Sequence, residues 1–372
     1  MKLKKHLKTL FIPFLIVSAM LFASACERDY RAMSVGMIDE VYVVMDSTQW
    51  SSETALAIEE TFGKGISTLP SYEPTYRLLF RDFNSNSELE QIRKLKNIII
   101  AAPIDDEHNV ANLIRAILSD EVEERVRSGE SFAFPLQDRW VRDQWTLVLT
   151  STTDEELSEK IRNSEQSLVG SLMDREFERR VHEIYRKGEQ VEISDSLWQD
   201  YGWSIRMQHD YIWTTRDDNI AIFRRSLPEN DRWIMAWWQE DVPSSDFINP
   251  EWINATRDSL LQIHIRGEID RDYYVTTEYR RDVITREFDR GDGIRSFETL
   301  GTWRMVNDAM GGPFVNFVYH DPQTERLFVI EYGQFAPSLP KRRFVRQFRT
   351  MGRTFQSDST WTGEPAVPVA NR

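Results

Sequence analysis

The residue with the plainest chemistry is Cys26, the single cysteine of this 372-residue chain. Its setting defines what the thiol can do. Lys2, Lys4, Lys5 and Lys8 precede it with no acidic residue among positions 2–8, residues 10–22 are almost wholly apolar, and the small Ala23, Ser24 and Ala25 lead directly into it. A basic start, an apolar middle and small residues before a cut are the order of a secretory signal. A cysteine at the cut resembles the bacterial lipoprotein variant, in which the thiol carries a diacylglycerol and becomes the new N-terminus. Residues 1–25 therefore read as a lipoprotein signal peptide, Cys26 as the lipidation site and 26–37 as a tether. An uncleaved spanning helix fits less well, because it needs about 20 apolar residues and Pro13 interrupts a shorter run. One departure is Ala23, three residues before the cysteine, where many lipoproteins carry Leu.

Other reactive groups are sparse. Beyond residue 25 the histidines are His108, His182, His209, His264 and His320, and no two stand at the three-to-five spacing of helical zinc ligands. No metal is expected. There is no Gly-x-Ser-x-Gly elbow, Walker loop or dinucleotide fingerprint, so no cofactor is expected either. Asp241 and Glu331, near predicted strand ends, could form an acid/base pair, but with 60 acidic residues such pairs arise by chance. Trp198, Trp203, Trp213, Trp233, Trp237, Trp238 and Trp252 crowd into 55 residues, and exposed rings of this kind bind sugars. Core packing is the stronger reading for the 233–238 run, where both alternating faces are apolar. Trp237 and Trp238 remain binding candidates. So do Met310, Gly311, Gly312 and Pro313, whose paired glycines permit either close approach of another chain or, more simply, a tight turn. Arg342 and Arg343, in a basic patch over 341–346, are candidates for an acidic partner, although a solvated helix face is the commoner outcome. Arg290-Gly291-Asp292-Gly293 lacks the oxygen-ligand spacing of a calcium loop and reads as a solvated turn.

Charge bounds the partners. The chain carries 46 Lys and Arg against 60 Asp and Glu, a net charge of −14. Four of those lysines lie in the signal, so the body is more acidic still. Phosphate backbones and anionic head groups should repel it. Nucleic acid is excluded as a partner, and the lipid must hold the protein at the membrane.

Two halves with different rhythm must position these residues. Strand-like runs at 41–45, 76–83, 97–102 and 145–149 alternate with helical patterns. One of these is capped by Ser51 or Ser52 and ends at Gly63, and another begins at Thr153 with Glu156 three residues on. The NIIIA run is apolar on both faces and should be covered on both sides. This gives an α/β domain over 38–195. Strands at 204–207, 219–225 and 232–238 then lead to a helix opened by Asn249 and Pro250. A strand at 273–279 follows, then strands at 301–306, 313–319 and 326–332 and a helix with Phe344, Val345, Phe348 and Met351 on one face. That is an antiparallel α+β domain over 196–355, patterned as a duplicated βββα unit. The fold class is α+β overall, and 356–372 reads as a disordered tail.

Several strings resemble one family: EVYVVMDSTQW at 40–50, LPSYEP at 69–74, NIII at 97–100, RDQWTLVLT at 142–150, MGGPF at 310–314 and APSLPKRRFVRQFRTM at 336–351. They look like the uncharacterised Bacteroidota lipoprotein family labelled domain of unknown function 4837, and the resemblance runs through nearly the whole chain after the signal. It implies a lipid-anchored protein of the cell envelope, in the outer membrane of a Gram-negative bacterium, with no activity to carry over. The expectation is a binding or assembly component rather than an enzyme, its partner an envelope protein or a glycan. The alternatives are a glycan-binding module built on the tryptophan-rich region and a hydrolase with dispersed carboxylates.

Overall fold

The computed structural model describes residues 29–267 and 272–362. The signal peptide, Cys26 and positions 363–372 of the expected tail lie outside the described residues. Among the described residues no helix is long and apolar enough to cross a membrane.

The first half is a three-layer sandwich. Its elements in order are β1 (Glu40–Val44), α1 (Glu53–Phe62), β2 (Arg77–Arg81), α2 (Asn86–Ile92), β3 (Asn97–Ala101), α3 (Asn109–Ile117), α4 (Asp120–Arg127), β4 (Ala133–Gln137), β5 (Trp145–Leu149), α5 (Asp154–Asn163) and α6 (Glu165–Tyr185). The sheet has the order β2-β1-β3-β5-β4, parallel except for the edge strand β4. Val41, Val43 and Ile99 face α1, α5 and α6, whereas Val44, Ile98 and Ile100 face α2 and α3. Helices on both faces are why the parallel strands read as apolar on both sides. Ser52 caps α1 and Thr153 caps α5 through their hydroxyls. Residues 33–35, read as tether, are laid against this half: Ser34 and Val35 donate backbone hydrogen bonds to Arg142 and Lys94.

The second half is built on a large antiparallel sheet. Its elements are α7 (Val191–Tyr201), β6 (Trp203–Ser204), β7 (Ile212–Arg216), β8 (Ile220–Leu227), β9 (Asn230–Gln239), α8 (Pro250–His264), β10 (Val275–Thr277), β11 (Ile284–Phe288), β12 (Arg295–Met305), β13 (Gly311–Asp321), β14 (Arg326–Phe335), α9 (Arg342–Gly352) and β15 (Gln356–Ser357). The order is β10-β12-β13-β14-β9-β8-β7, with β11 also on β12. Asn249 caps α8 and Pro250 is its first residue, as expected.

The second expected βββα unit is a meander of β12, β13 and β14, but the first differs: the run at 204–207 is not a strand of this sheet, Trp203–Ser204 pairing instead with β15, and the unpredicted β7 takes its place beside β8 and β9. The third strands β9 and β14 meet antiparallel at the centre. The helices break the duplication. Val345, Phe348 and Met351 of α9 pack with Ile234, Ala236 and Ile330 on one face. Ile253 and Leu261 of α8 pack with Met235 and Val329 on the other. A two-fold relating antiparallel neighbours stands normal to the sheet and would leave both helices on one face. The ordered body also runs past 355. Gln356–Ser357 pairs with Trp203–Ser204, and Trp361 stacks on Trp198 at 4.3 Å.

A seam of buried charge joins the halves. The 21-residue α6 contributes Leu168 and Leu172 to the first core and Ile184 to the second. Alongside it, α9 presents its arginines. Arg346 donates to both oxygens of Glu176 at 2.7 and 2.6 Å, and Glu176 also accepts from Arg180 at 2.5 Å and Tyr76 Oη at 2.9 Å. Arg349 pairs with Glu298 at 2.8 Å and Arg353 with the same carboxylate at 3.4 Å. Arg342 pairs with Asp39 and Arg343 with Glu183. The Glu73 carboxylate accepts the backbone N–H groups of Lys341 and Arg342, an anion at the positive end of α9. The face expected to be solvated is therefore in part an internal seam: Arg346 is buried, while Arg343 stays exposed.

Burial alone would raise the Glu176 carboxyl, but Arg346 and Arg180 outweigh it and hold the group below the usual carboxylate range. Glu298 is lowered in the same way, burial being overcome by Arg349 and Arg353.

A candidate binding cleft at one end of the large sheet

The cleft is assembled where α7 stops. Gly202 follows Tyr201 in the left-handed region at φ 67°, and its N–H returns to the Trp198 carbonyl. A side chain at Gly202 would meet the Asp358 carboxylate at 2.6 Å, so glycine also makes room for the segment after β15. The chain then turns into β6, placing Trp203 in the core. Arg326, the first residue of β14, reaches under this corner. It donates to the carbonyls of Tyr201 at 2.8 Å and Gly202 at 3.3 Å, satisfying the negative end of α7, and to Glu240 Oε1 at 2.9 Å. Asp358 stands 3.6 Å from the same guanidinium.

Above Arg326 lies a cleft of about 390 Å³ lined by Asp200, Tyr201, Trp238, Glu240, Asp218 and Asp358. That volume is at the lower end of the range for small-ligand sites. Four carboxylates line it. Arg326 answers Glu240 and Asp358, and Arg216 pairs with Asp200, leaving an excess of negative charge. The floor and wall are aromatic. Tyr201 lies 4.7 Å from Trp238 and 6.4 Å from Trp213, with Arg216 stacked over Trp213 at 4.6 Å. Such a site can hold a cationic or hydroxyl-rich group: carboxylates accept its hydrogen bonds, and ring faces attract cations or apolar sugar faces.

The sequence candidates fall in three places. Trp238 is in the cleft wall but buried, so it supplies packing rather than a platform. Trp203 and Trp233 are buried as well. Trp237 is half-buried on the opposite face, against the α8 side. Met310, Gly311, Gly312 and Pro313 sit at the other end of the strands. Trp303 lies opposite Gly312 and Gly333 opposite Phe314. The turn before them uses Asn307 at φ 63° instead of the glycines, and Gly311 and Gly312 already belong to β13. A Cβ on Gly312 would overlap the Gln334 carbonyl, so this glycine serves close approach within the sheet. Arg342 is held in the seam by Asp39, whereas Arg343 is exposed and pairs with Glu183 at its rim.

Asp241 and Glu331 do not form a pair. Glu331 lies opposite Met235, six residues from Asp241 and hence about 20 Å away, beyond the spacing of glycosidase carboxylates. Glu331 instead grips the buried Arg257 at 2.7 Å, and burial, opposed by Arg257, raises its carboxyl above the ordinary value. Among the described residues no group of three or more His, Cys, Asp or Glu could hold a metal.

Asp200, Asp218 and Asp358 were missed from sequence because they come from a helix end, a hairpin turn and the turn after β15. The only signal was the local crowding of aromatic residues.

Residues 190–354 match the family model described as Domain of unknown function (DUF4837), and residues 34–185 match another, Domain of unknown function (DUF8532). The resemblance read along nearly the whole chain is thus divided between two families, and its first four strings fall in the second. No curated protein matches the chain. Among solved structures, a mutant of the protein Mog1 is 12% identical and covers 44% of this chain and 93% of its own, with a TM-score of 0.29. The Saccharomyces cerevisiae Ran-binding protein Mog1p gives 12%, 42%, 90% and 0.29 for the same measures. A structure from Bacteroides thetaiotaomicron is 10% identical, covering 44% of this chain and 47% of its own at a TM-score of 0.20.

Proposed function

We propose that this is a lipid-anchored protein of the cell envelope of a Gram-negative bacterium. In this reading it is held at the outer membrane by an acylated Cys26 and acts by binding another envelope component, not by catalysis. The binding surface is the cleft over Arg326, and its ligand is a basic group of a partner protein. The observation carrying this reading is the excess of carboxylates around a 390 Å³ cleft. A cation entering it gains charge-assisted hydrogen bonds from several carboxylates at once. The anchor rests on the basic, apolar and small-residue order that ends at Cys26.

Two experiments test the reading. Cys26→Ala should leave the membrane fraction and lose signal processing; a variant that stays processed and membrane-bound refutes the anchor. A photo-cross-linker at Asp218, used in cells, should capture one dominant protein, and Glu240→Gln with Asp358→Asn should abolish capture. Unchanged capture in that double variant refutes the cleft.

A second reading, glycan binding, is favoured by the half-exposed rings of Tyr201 and Trp213 beside these carboxylates. Tryptophan fluorescence that does not respond to cell-wall fragments or oligosaccharides removes it.

A further inference from the structure

Eight arginines are buried among the described residues: Arg179, Arg180, Arg225, Arg232, Arg257, Arg326, Arg346 and Arg353. Seven have a carboxylate within 4 Å: Asp143 for Arg179, Glu176 for Arg180 and Arg346, Asp210 for Arg225, Glu331 for Arg257, Glu240 for Arg326 and Glu298 for Arg353. Arg232 has no ion pair among the described residues. Its Nε donates to the Asn230 side-chain oxygen and its Nη1 to the Gln347 side-chain oxygen, both at 3.2 Å, and its guanidinium stacks 4.3 Å from Phe344. All three partners are neutral. A buried charge without a counter-charge is costly, and this one is only 4% exposed.

The surroundings add positive charge and idle donors. Arg225 lies directly opposite Arg232 in the β8–β9 register. Among the described residues its only carboxylate within 4 Å, Asp210, is more than half exposed at 3.3 Å, and its Nε is buried without a hydrogen-bond partner. Tyr211 is fully buried and close enough to both arginines to feel their charge. Its hydroxyl stands beside Arg232 and makes no hydrogen bond of normal geometry among the described residues. His209 Nδ1 is likewise buried and without a hydrogen-bond partner among the described residues. Arg232 is pushed below the usual guanidinium value by burial and by Arg225 and Arg343, with Tyr211 opposing.

We propose that Arg232, Arg225 and Tyr211 form a binding site for a small oxyanion, a phosphate or carboxylate group that supplies the missing counter-charge. Two guanidinium groups and a phenol are the donors such a group takes. The site is independent of the cleft, six residues along β9 from Trp238 and therefore about 20 Å away.

The test is calorimetric titration of the purified full-length chain with sodium phosphate and, separately, sodium acetate in a constant chloride background. Saturable binding of one of them is expected, and which one binds identifies a phosphate or a carboxylate ligand. Arg232→Met should weaken it at least tenfold. Tyr211→Phe removes a single hydroxyl beside Arg232 and keeps the ring in the core, so it should fold normally and weaken binding several-fold. The cleft variant Asp218→Asn should bind as wild type. Three outcomes overturn the proposal: neither anion binds, chloride competes equally so that the site takes an adventitious ion only, or Tyr211→Phe and Arg232→Met both bind like wild type.

Discussion

Glu176→Gln should be among the most damaging single-atom changes in this protein. The carboxylate is buried at the seam and accepts from Arg180 at 2.5 Å, Arg346 at 2.6 and 2.7 Å and Tyr76 at 2.9 Å. Glutamine keeps the shape but removes the charge facing two buried guanidiniums, and its amide end presents donors to donors. Breaking a buried pair on one side costs about 3–5 kcal/mol. An exposed pair contributes about 0–1 kcal/mol, so Glu60→Gln, which loses the surface bond to Arg162, is the control. The measurement is urea unfolding followed by tryptophan fluorescence and by far-ultraviolet circular dichroism. Two probes are needed because two domains need not unfold together.

The same residue sets the pH dependence. Its folded value lies below the ordinary 4.5. The stabilisation is therefore complete above about pH 4.5 and is lost as pH falls through the folded value. The gap between wild type and Glu176→Gln should be constant near neutrality and narrow on acidification. A loss under about 1 kcal/mol at pH 7, or a gap that widens in acid, would refute the view that this charge cluster holds the halves together.

Further outcomes follow from local geometry. Gly352→Ala adds a methyl group that overlaps the Phe317 ring. It should destabilise by about 1–3 kcal/mol from overpacking even though alanine favours helix, and thermal unfolding would reveal the reverse sign. Asn249→Ala removes the side-chain acceptor for the Trp252 N–H at the start of α8, costing about 1 kcal/mol in chemical unfolding. Arg326→Met strips the Tyr201 and Gly202 carbonyls of their charged donor. It should cost about 2 kcal/mol and raise hydrogen exchange in the last turn of α7; unchanged exchange there would show that the arginine does not hold the corner.

Much of the fold was legible because it rests on short-range rules. The apolar NIIIA run announced a strand covered on both faces, and β3 lies between two helical layers. Asn249 followed by Pro250 announced the start of α8. What escaped has weak local pattern. The edge strand β7 is largely exposed and β4 is only part-buried, so neither carries a clear alternation. Strand β15 is two residues long and exists because β6 is there to pair with it.

The sequence by itself determined the α+β class, the acidic balance, the crowding of tryptophans and the basic character of 341–346. Those are properties of composition and near-neighbour spacing, which no distant contact can change. Only the tertiary structure decided which charges are answered. Arg346 read as part of a solvated face until Glu176, more than 160 positions earlier, closed over it. Asp200, Asp218, Glu240 and Asp358 became one cleft by the meeting of four separate segments. Arg232, unremarked in a chain with dozens of cations, became singular because burial withdrew water from it while the fold supplied amides and an aromatic ring instead of a carboxylate.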